Sequence, residues 1–306
     1  MIARHRPIAL VVAGLLALGA LTGAQAQDLK VRHAKGETTV PAEPKKVLVF
    51  DMASLDTLDA LGVEVAGVPT ARFPDHLAKY GAGSYEKIGT LFEPDYEAVN
   101  AAEPDLIVVG GRSSAKYADL AKIAPTIDMT IDPKNYLDSV KRNVRLLGTI
   151  FGKEAQAAAR VTQLDASAAE LRKQASTIGK GLLILTTGGK MSAYGPGSRF
   201  GVLHTDFGIA PAVENLATTN HGQAVSSEFI LQADPDWLFV IDRDAAIGRS
   251  SDAAKRLLDN DLVAQTKAWK NNRVVYLDPV NWYVIGGGST AMQQIVDQIA
   301  KAVDER

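Results

Sequence analysis

The chain has 306 residues, carries 33 basic against 35 acidic side chains, and has a net charge of −2. That balance excludes a general nucleic-acid or membrane-surface binder, which needs an excess of positive charge, so any basic site must be local. With no cysteine, thiol catalysis, zinc–thiolate sites, iron–sulfur clusters, disulfides and lipid attachment at a lipobox are all excluded.

Arg4 and Arg6 precede an apolar run from Ile8 to Leu21, and Ala24-Gln25-Ala26 follows. A basic start, an apolar core and small residues at the −3 and −1 positions read as a secretory signal peptide over 1–26. The run falls short of the roughly 20 residues a spanning helix needs, so cleavage after Ala26 is expected rather than anchoring. The expected product is a soluble periplasmic monomer, and the loss of Arg4 and Arg6 moves its net charge to −4.

Past a polar lead, Val47–Phe50 reads as a buried strand, Ala53–Leu61 as a helix stopped by Gly62, and Val65–Val68 as a second strand. Leu106–Val109 is a third strand, ended by Gly110-Gly111, and Asn135–Phe151 reads as a helix stopped by Gly152. Strands alternating with helices predict an α/β lobe over 27–152 with a largely parallel sheet. Lys153–Ile178 holds neither Gly nor Pro. Its apolar residues fall at Ala157, Val161, Leu164, Ala168, Leu171 and Ala175, the period of a one-faced helix. Lying midway along the chain, it reads as a rigid connector. A second α/β lobe, 179–306, follows with strands at Leu182–Leu185, Trp237–Ile241 and Val274–Leu277 and a closing helix over Ser289–Val303.

An internal repeat points to a cleft. Glu97 opens a unit that runs through Ala102-Glu103-Pro104-Asp105 into Leu106–Val109, and Glu228 opens its counterpart through Ala233-Asp234-Pro235-Asp236 into Trp237–Val240. Fifteen residues past each Glu stands an arginine, Arg112 and Arg243. In open α/β sheets ligands bind beyond the carboxyl ends of strands, so two facing lobes would bring these arginines together. A third, Arg199, sits in the glycine-rich loop Gly195–Gly201. That loop lacks the Lys-Ser/Thr ending of a phosphate-binding P-loop, so a ligand-contacting arginine is the stronger reading. His221, in a polar stretch, and Tyr283, between a strand end and Gly286-Gly287-Gly288, are further candidates. The scattered histidines form no cluster of a zinc or manganese carrier, and no Ser-His-Asp order, HExxH or catalytic carboxylate pair stands out.

On these stretches (Gly-Gly-Arg112-Ser-Ser, Tyr-Gly-Pro-Gly-Ser-Arg199-Phe-Gly, His221-Gly with Ser-Ser-Glu228-Phe-Ile, Val-Ile-Asp-Arg243 and Asp-Pro-Val-Asn-Trp-Tyr283) the chain resembles the periplasmic substrate-binding proteins of iron–siderophore ABC transporters. More narrowly, it looks like the enterobactin- and petrobactin-type binders that take catecholate siderophores. The resemblance implies a class III binding-protein fold, two Rossmann-like lobes joined by one long helix, with no enzymatic activity and no intrinsic cofactor. It implies Arg112, Arg199 and Arg243 around an anionic Fe3+–siderophore complex, with His221 and Tyr283 donating to iron when the siderophore supplies four donor atoms. It implies that Glu97 and Glu228 dock onto arginines of the membrane permease. Asn281 stands where several relatives carry an aromatic residue, on the wall of the pocket. A haem or corrinoid carrier of the same fold is the alternative, and a secreted hydrolase a more distant one.

Overall fold

The computed structural model describes residues 28–249 and 252–305. The signal peptide expected over 1–26 lies outside the described residues.

A hairpin, β1 (Leu29–His33) with β2 (Gly36–Val40), leads into a sheet of five parallel strands. These are β3 (Val47–Val49), β4 (Gly67–Thr70), β5 (Glu86–Thr90), β6 (Leu106–Val109) and β7 (Thr126–Asp128), in the order β5-β4-β3-β6-β7. Every residue of β3 and β6 is buried, as expected where helices cover both faces of a parallel sheet. The strand expected over Val65–Val68 begins instead at Gly67. A Cβ on Gly67 would lie 2.6 Å from the Leu48 side chain and 2.9 Å from that of Ile88, so only glycine fits between the neighbouring strands. The register then shifts between Val68 and Thr70, across Pro69, which has no N–H to donate.

The second sheet comprises β8 (Lys180–Thr187), β9 (Lys190–Tyr194), β10 (Ala210–Pro211), β11 (Gln223–Val225), β12 (Trp237–Asp242) and β13 (Val274–Tyr276). Its order is β11-β9-β8-β12-β13, with β10 beside β8. The strands β8, β12 and β13 run parallel, whereas β9 and β11 reverse direction in turn. This sheet is therefore mixed.

Between the sheets runs the helix Glu154–Ala175, whose buried residues are the six that the apolar period marks. At about 1.5–3 kcal/mol each, the buried Val161, Leu164 and Leu171 anchor it more firmly than any surface ion pair can. It stops short of Ile178 because Ser176 Oγ donates to the Lys173 carbonyl and Thr177 Oγ1 to that of Gln174, satisfying acceptors that further helix would use. Its first half is tied to the first lobe by Arg160 Nε donating to the Ala60 carbonyl. Its second half is tied to the other lobe by Arg172, which donates to the carbonyls of Thr205 and Asp206.

The closing helix, Ser289–Asp304, makes a second tie. The buried Asp56 Oδ2 accepts from the backbone N–H of Thr290 at 2.7 Å, capping this helix from another element. His76 Nε2 lies 2.6 Å from the same carboxylate. Further along the helix, Gln298 bonds the backbone of Tyr276 and Asp278 beside the second sheet.

Candidate functional site: an arginine-lined cleft

Arg112 lies in a short 3-10 turn (Gly111–Lys116) just past β6, and Arg243 opens a one-turn helix just past β12. The rule of strand ends thus places both. Arg199 arrives differently, because β9 runs against β8 and its chain must double back. The coil closes on itself through Ser198 Oγ donating to the Gly195 carbonyl at 2.6 Å. A Cβ on Gly201 would lie 2.7 Å from the Gly197 nitrogen and 2.9 Å from the Gly195 oxygen. Its glycines therefore serve tight self-packing rather than a phosphate cradle.

All three arginines converge on Tyr283. The guanidinium carbons of Arg112, Arg199 and Arg243 lie 5.3, 4.6 and 5.5 Å from the centre of its ring. Arg112 Nη2 and Arg199 Nη2 donate to the Tyr283 carbonyl at 2.6 and 2.7 Å, and Arg112 Nη1 to that of Val284 at 3.0 Å. Arg243 Nε donates to the phenol oxygen at 2.8 Å, and its Nη1 to Thr187 Oγ1 at 3.1 Å. Tyr283, between the end of β13 and Gly286-Gly287-Gly288, stands in a single π-helical turn, Val280–Ile285, closed by the Gly286 N–H donating to the Asn281 carbonyl. The wider turn leaves the carbonyls of Tyr283 and Val284 free to accept from arginine.

Among the described residues, none of the three arginines is in an ion pair with a carboxylate. Burial, and then the charge of Arg199, push the Arg112 guanidinium down from its ordinary value. Burial raises the Tyr283 phenol, but the Arg243 hydrogen bond and the fields of the three arginines outweigh it, so the phenol lies below its usual range. Three arginines around an acidified phenol, with the Asp51 carboxyl acting on Arg112 but in no ion pair with it, make a site suited to an anion and to a centre that binds phenolate.

These residues line a cavity of about 970 Å³, which His221 borders as well. His221 is exposed on a turn held by Thr219 Oγ1 donating to the Gly222 carbonyl at 2.9 Å. Glu97 and Glu228 lie outside the cavity, exposed in the first turns of the helices Tyr96–Ala101 and Ser227–Ala233. Much of their shared motif is structural. Glu103 and Asp234 both adopt the left-handed conformation (φ of 46° and 37°), and the aspartates after the prolines do equivalent work. Asp105 accepts from the backbone N–H groups of Lys45 and Lys46 ahead of β3, and Asp236 from that of Lys180 at the start of β8, all at 2.8 Å.

Asn281 departs from the position the family resemblance implied. It is 5 % exposed, lies off the cavity wall, and donates through Nδ2 to Gln294 Oε1 at 2.7 Å. The amide thus ties the π turn to the closing helix. Residues that the sequence reading missed include Phe92, Tyr136 and Asp51, all on the cavity wall. Burial pushes the Tyr136 phenol up to about 12, and burial likewise pushes the Asp51 carboxyl up. Each lies in an ordinary-looking element with no motif around it.

The profile of the family described as periplasmic binding protein matches residues 47–280. The petrobactin-binding protein YclQ of Bacillus subtilis is 42% identical over 284 residues, covering 91% of this chain and 89% of its own length. Its crystal structure superposes with a TM-score of 0.88 at 41% identity, covering 92% of this chain and all of that one. The ferric-anguibactin-binding protein FatB of Vibrio anguillarum is 34% identical over 89% of this chain and 86% of its own. The periplasmic catecholate-siderophore binding protein VctP of Vibrio cholerae superposes with a TM-score of 0.85 at 34% identity, covering 89% of this chain and 99% of that one.

Proposed function

Because the chain belongs to the periplasmic binding protein family, we propose that it is a siderophore-binding protein of an ABC iron-uptake system, specialised for ferric catecholates. The observation that carries this reading is the convergence on Tyr283 of Arg112, Arg199 and Arg243, none of them in an ion pair with a carboxylate among the described residues. A catecholate complex of ferric iron is anionic. Each guanidinium keeps donors beyond those bonded to Tyr283, Val284 and Thr187. In a half-buried cleft their charge–charge contacts are less screened than at an open surface. The protein acts by binding and not by turnover, as its relatives do.

Iron here is cargo. A tetradentate bis-catecholate leaves two iron positions open, and His221 and Tyr283 border one cavity with an imidazole and an acidified phenol to fill them. Tyr283 releases its proton to solvent as its oxygen binds the metal, and the three arginines favour that loss. Glu97 and Glu228, exposed and one on each lobe, supply a two-point electrostatic contact for an inner-membrane permease. Export by the segment 1–26, with cleavage after Ala26, and action as a periplasmic monomer complete the proposal.

The test is a fluorescence titration of the purified protein with ferric bis-catecholate, ferric tris-catecholate, haem and cobalamin. Tight binding of the catecholates supports the reading, and preference for either macrocycle overturns it. The double variant His221→Ala, Tyr283→Phe should weaken the tetradentate complex far more than the hexadentate one. Equal losses would return both residues to the pocket lining.

A further inference from the structure

Phe92 is 57 % exposed and Tyr96 37 %, the two large apolar side chains left open to solvent among the described residues. Leaving a phenylalanine ring in water forgoes about 1.5–3 kcal/mol, so its position needs a cause. Disorder of its loop is not that cause. Thr90 Oγ1 accepts from the backbone N–H groups of Phe92 and Glu93 at 3.2 and 3.0 Å, and the Thr90 N–H donates to the Glu93 carbonyl at 2.8 Å. Gly89, at φ of 114°, pairs with Pro94, and a Cβ there would lie 2.4 Å from the Glu93 oxygen. The turn is a closed, tightly packed device that holds the ring out over the cleft, where Phe92 lines the same cavity as Tyr283.

Of the other rings of the cavity, Tyr136 is half-buried and packed against the hydrophobic core, and four more are committed to partners. The Tyr283 ring is occupied by three guanidinium groups. Tyr194, Phe200 and Trp282 are each 3 % exposed, and Phe200 packs edge-on against both of the others. Each guanidinium already has the Tyr283 ring on one side, and Phe92 is the large apolar ring of the cavity wall that stays open to solvent. Among the described residues Phe92 has neither an aromatic nor a cationic partner.

We propose that Phe92 is a specificity residue whose ring packs against a catechol ring of the bound complex, closing the first-lobe side of the cleft over the iron centre. This rests on the catecholate reading above. Stacking or edge contact with a flat, electron-rich ring rewards an aromatic side chain beyond its area. An aliphatic or carboxylate-rich ferric complex offers no such ring.

The test compares wild type with Phe92→Ala, Phe92→Leu and Phe92→Tyr by titration with the ferric complex of a linear bis-catecholamide. Phe92→Ala should weaken binding about tenfold, Phe92→Leu by nearly as much, and Phe92→Tyr by less than twofold. The thermal midpoint should change little, because 57 % of the residue's surface already lies in solvent. Binding by Phe92→Ala within twofold of wild type overturns the proposal. So does full affinity in Phe92→Leu, which would mean that bulk alone matters. Failure of the wild type to bind the complex at all overturns the catecholate reading itself, and the Phe92 assignment with it.

Discussion

Replacing Arg243 by alanine removes the hydrogen bond to the Tyr283 phenol at 2.8 Å, the bond to Thr187 and a charge 5.5 Å from the tyrosine ring. A hydrogen bond to a charged group contributes about 1.5–3 kcal/mol. A unit charge at that distance from a phenolate adds about 3 kcal/mol at an effective dielectric constant of 20. Arg243 is half-buried, so solvent screens this second part toward the roughly 1 kcal/mol of exposed pairs. Allowing for water that replaces part of the lost bond, the net loss is about 2–3 kcal/mol, or about 30- to 150-fold in Kd for a ferric bis-catecholate. Because burial and then the Arg243 bond are the leading influences on Tyr283, the variant's phenol should also titrate closer to the ordinary tyrosine range. Fluorescence titration gives the affinity, and the phenolate absorbance followed against pH gives the titration. A double-mutant cycle with Tyr283→Phe should show a coupling of about 1 kcal/mol, since the two side chains touch. Affinity within twofold of wild type, or strictly additive losses, would refute the arrangement of charge argued for this cleft.

Other outcomes follow from separate features. Of the three tryptophans Trp282 lines the cavity whereas Trp237 and Trp269 do not, so Trp282→Phe should abolish most of the ligand-induced quenching of tryptophan fluorescence; quenching of wild-type size would move the bound complex elsewhere. Asp56→Ala leaves the capped N–H groups of Thr290 and Ala291 without their acceptor and should cost about 2–4 kcal/mol in urea denaturation. The hydrogen bond to Asp56 raises the His76 imidazole above its ordinary value against the opposing effect of burial. The stability from this pair should therefore be fully present below the unfolded-state value near 6.5 and be lost as pH rises through the folded-state one. A profile unchanged in His76→Gln would contradict it. Glu97→Ala combined with Glu228→Ala should leave siderophore affinity intact and reduce uptake through the cognate permease, measured with radioactive iron; normal uptake would reduce the glutamates to helix-end acids.

Local and repeated features were legible in the sequence. The buried face of Glu154–Ala175 could be read residue by residue, because helical periodicity and the lack of Gly and Pro are properties of one segment. Arg112 and Arg243 could be paired because the repeat sets each beyond a buried strand, and parallel strands deliver their carboxyl ends to one edge. Only the tertiary structure decided the rest. Arg199 follows a strand that runs the opposite way; the Gly188-Gly189 turn signals that reversal locally, but where the coil after β9 carries Arg199 depends on packing against the other lobe's arginine and Tyr283. The π turn of Tyr283 is six residues long, too short for any period, and is held by Asn281 reaching Gln294 on another helix. Phe92 differs from a core phenylalanine only by the turn beneath it and by the empty space above, and space between two lobes belongs to no segment. Sequence carries what neighbours along the chain impose on one another; the meeting of three arginines over one tyrosine depends on how distant surfaces close.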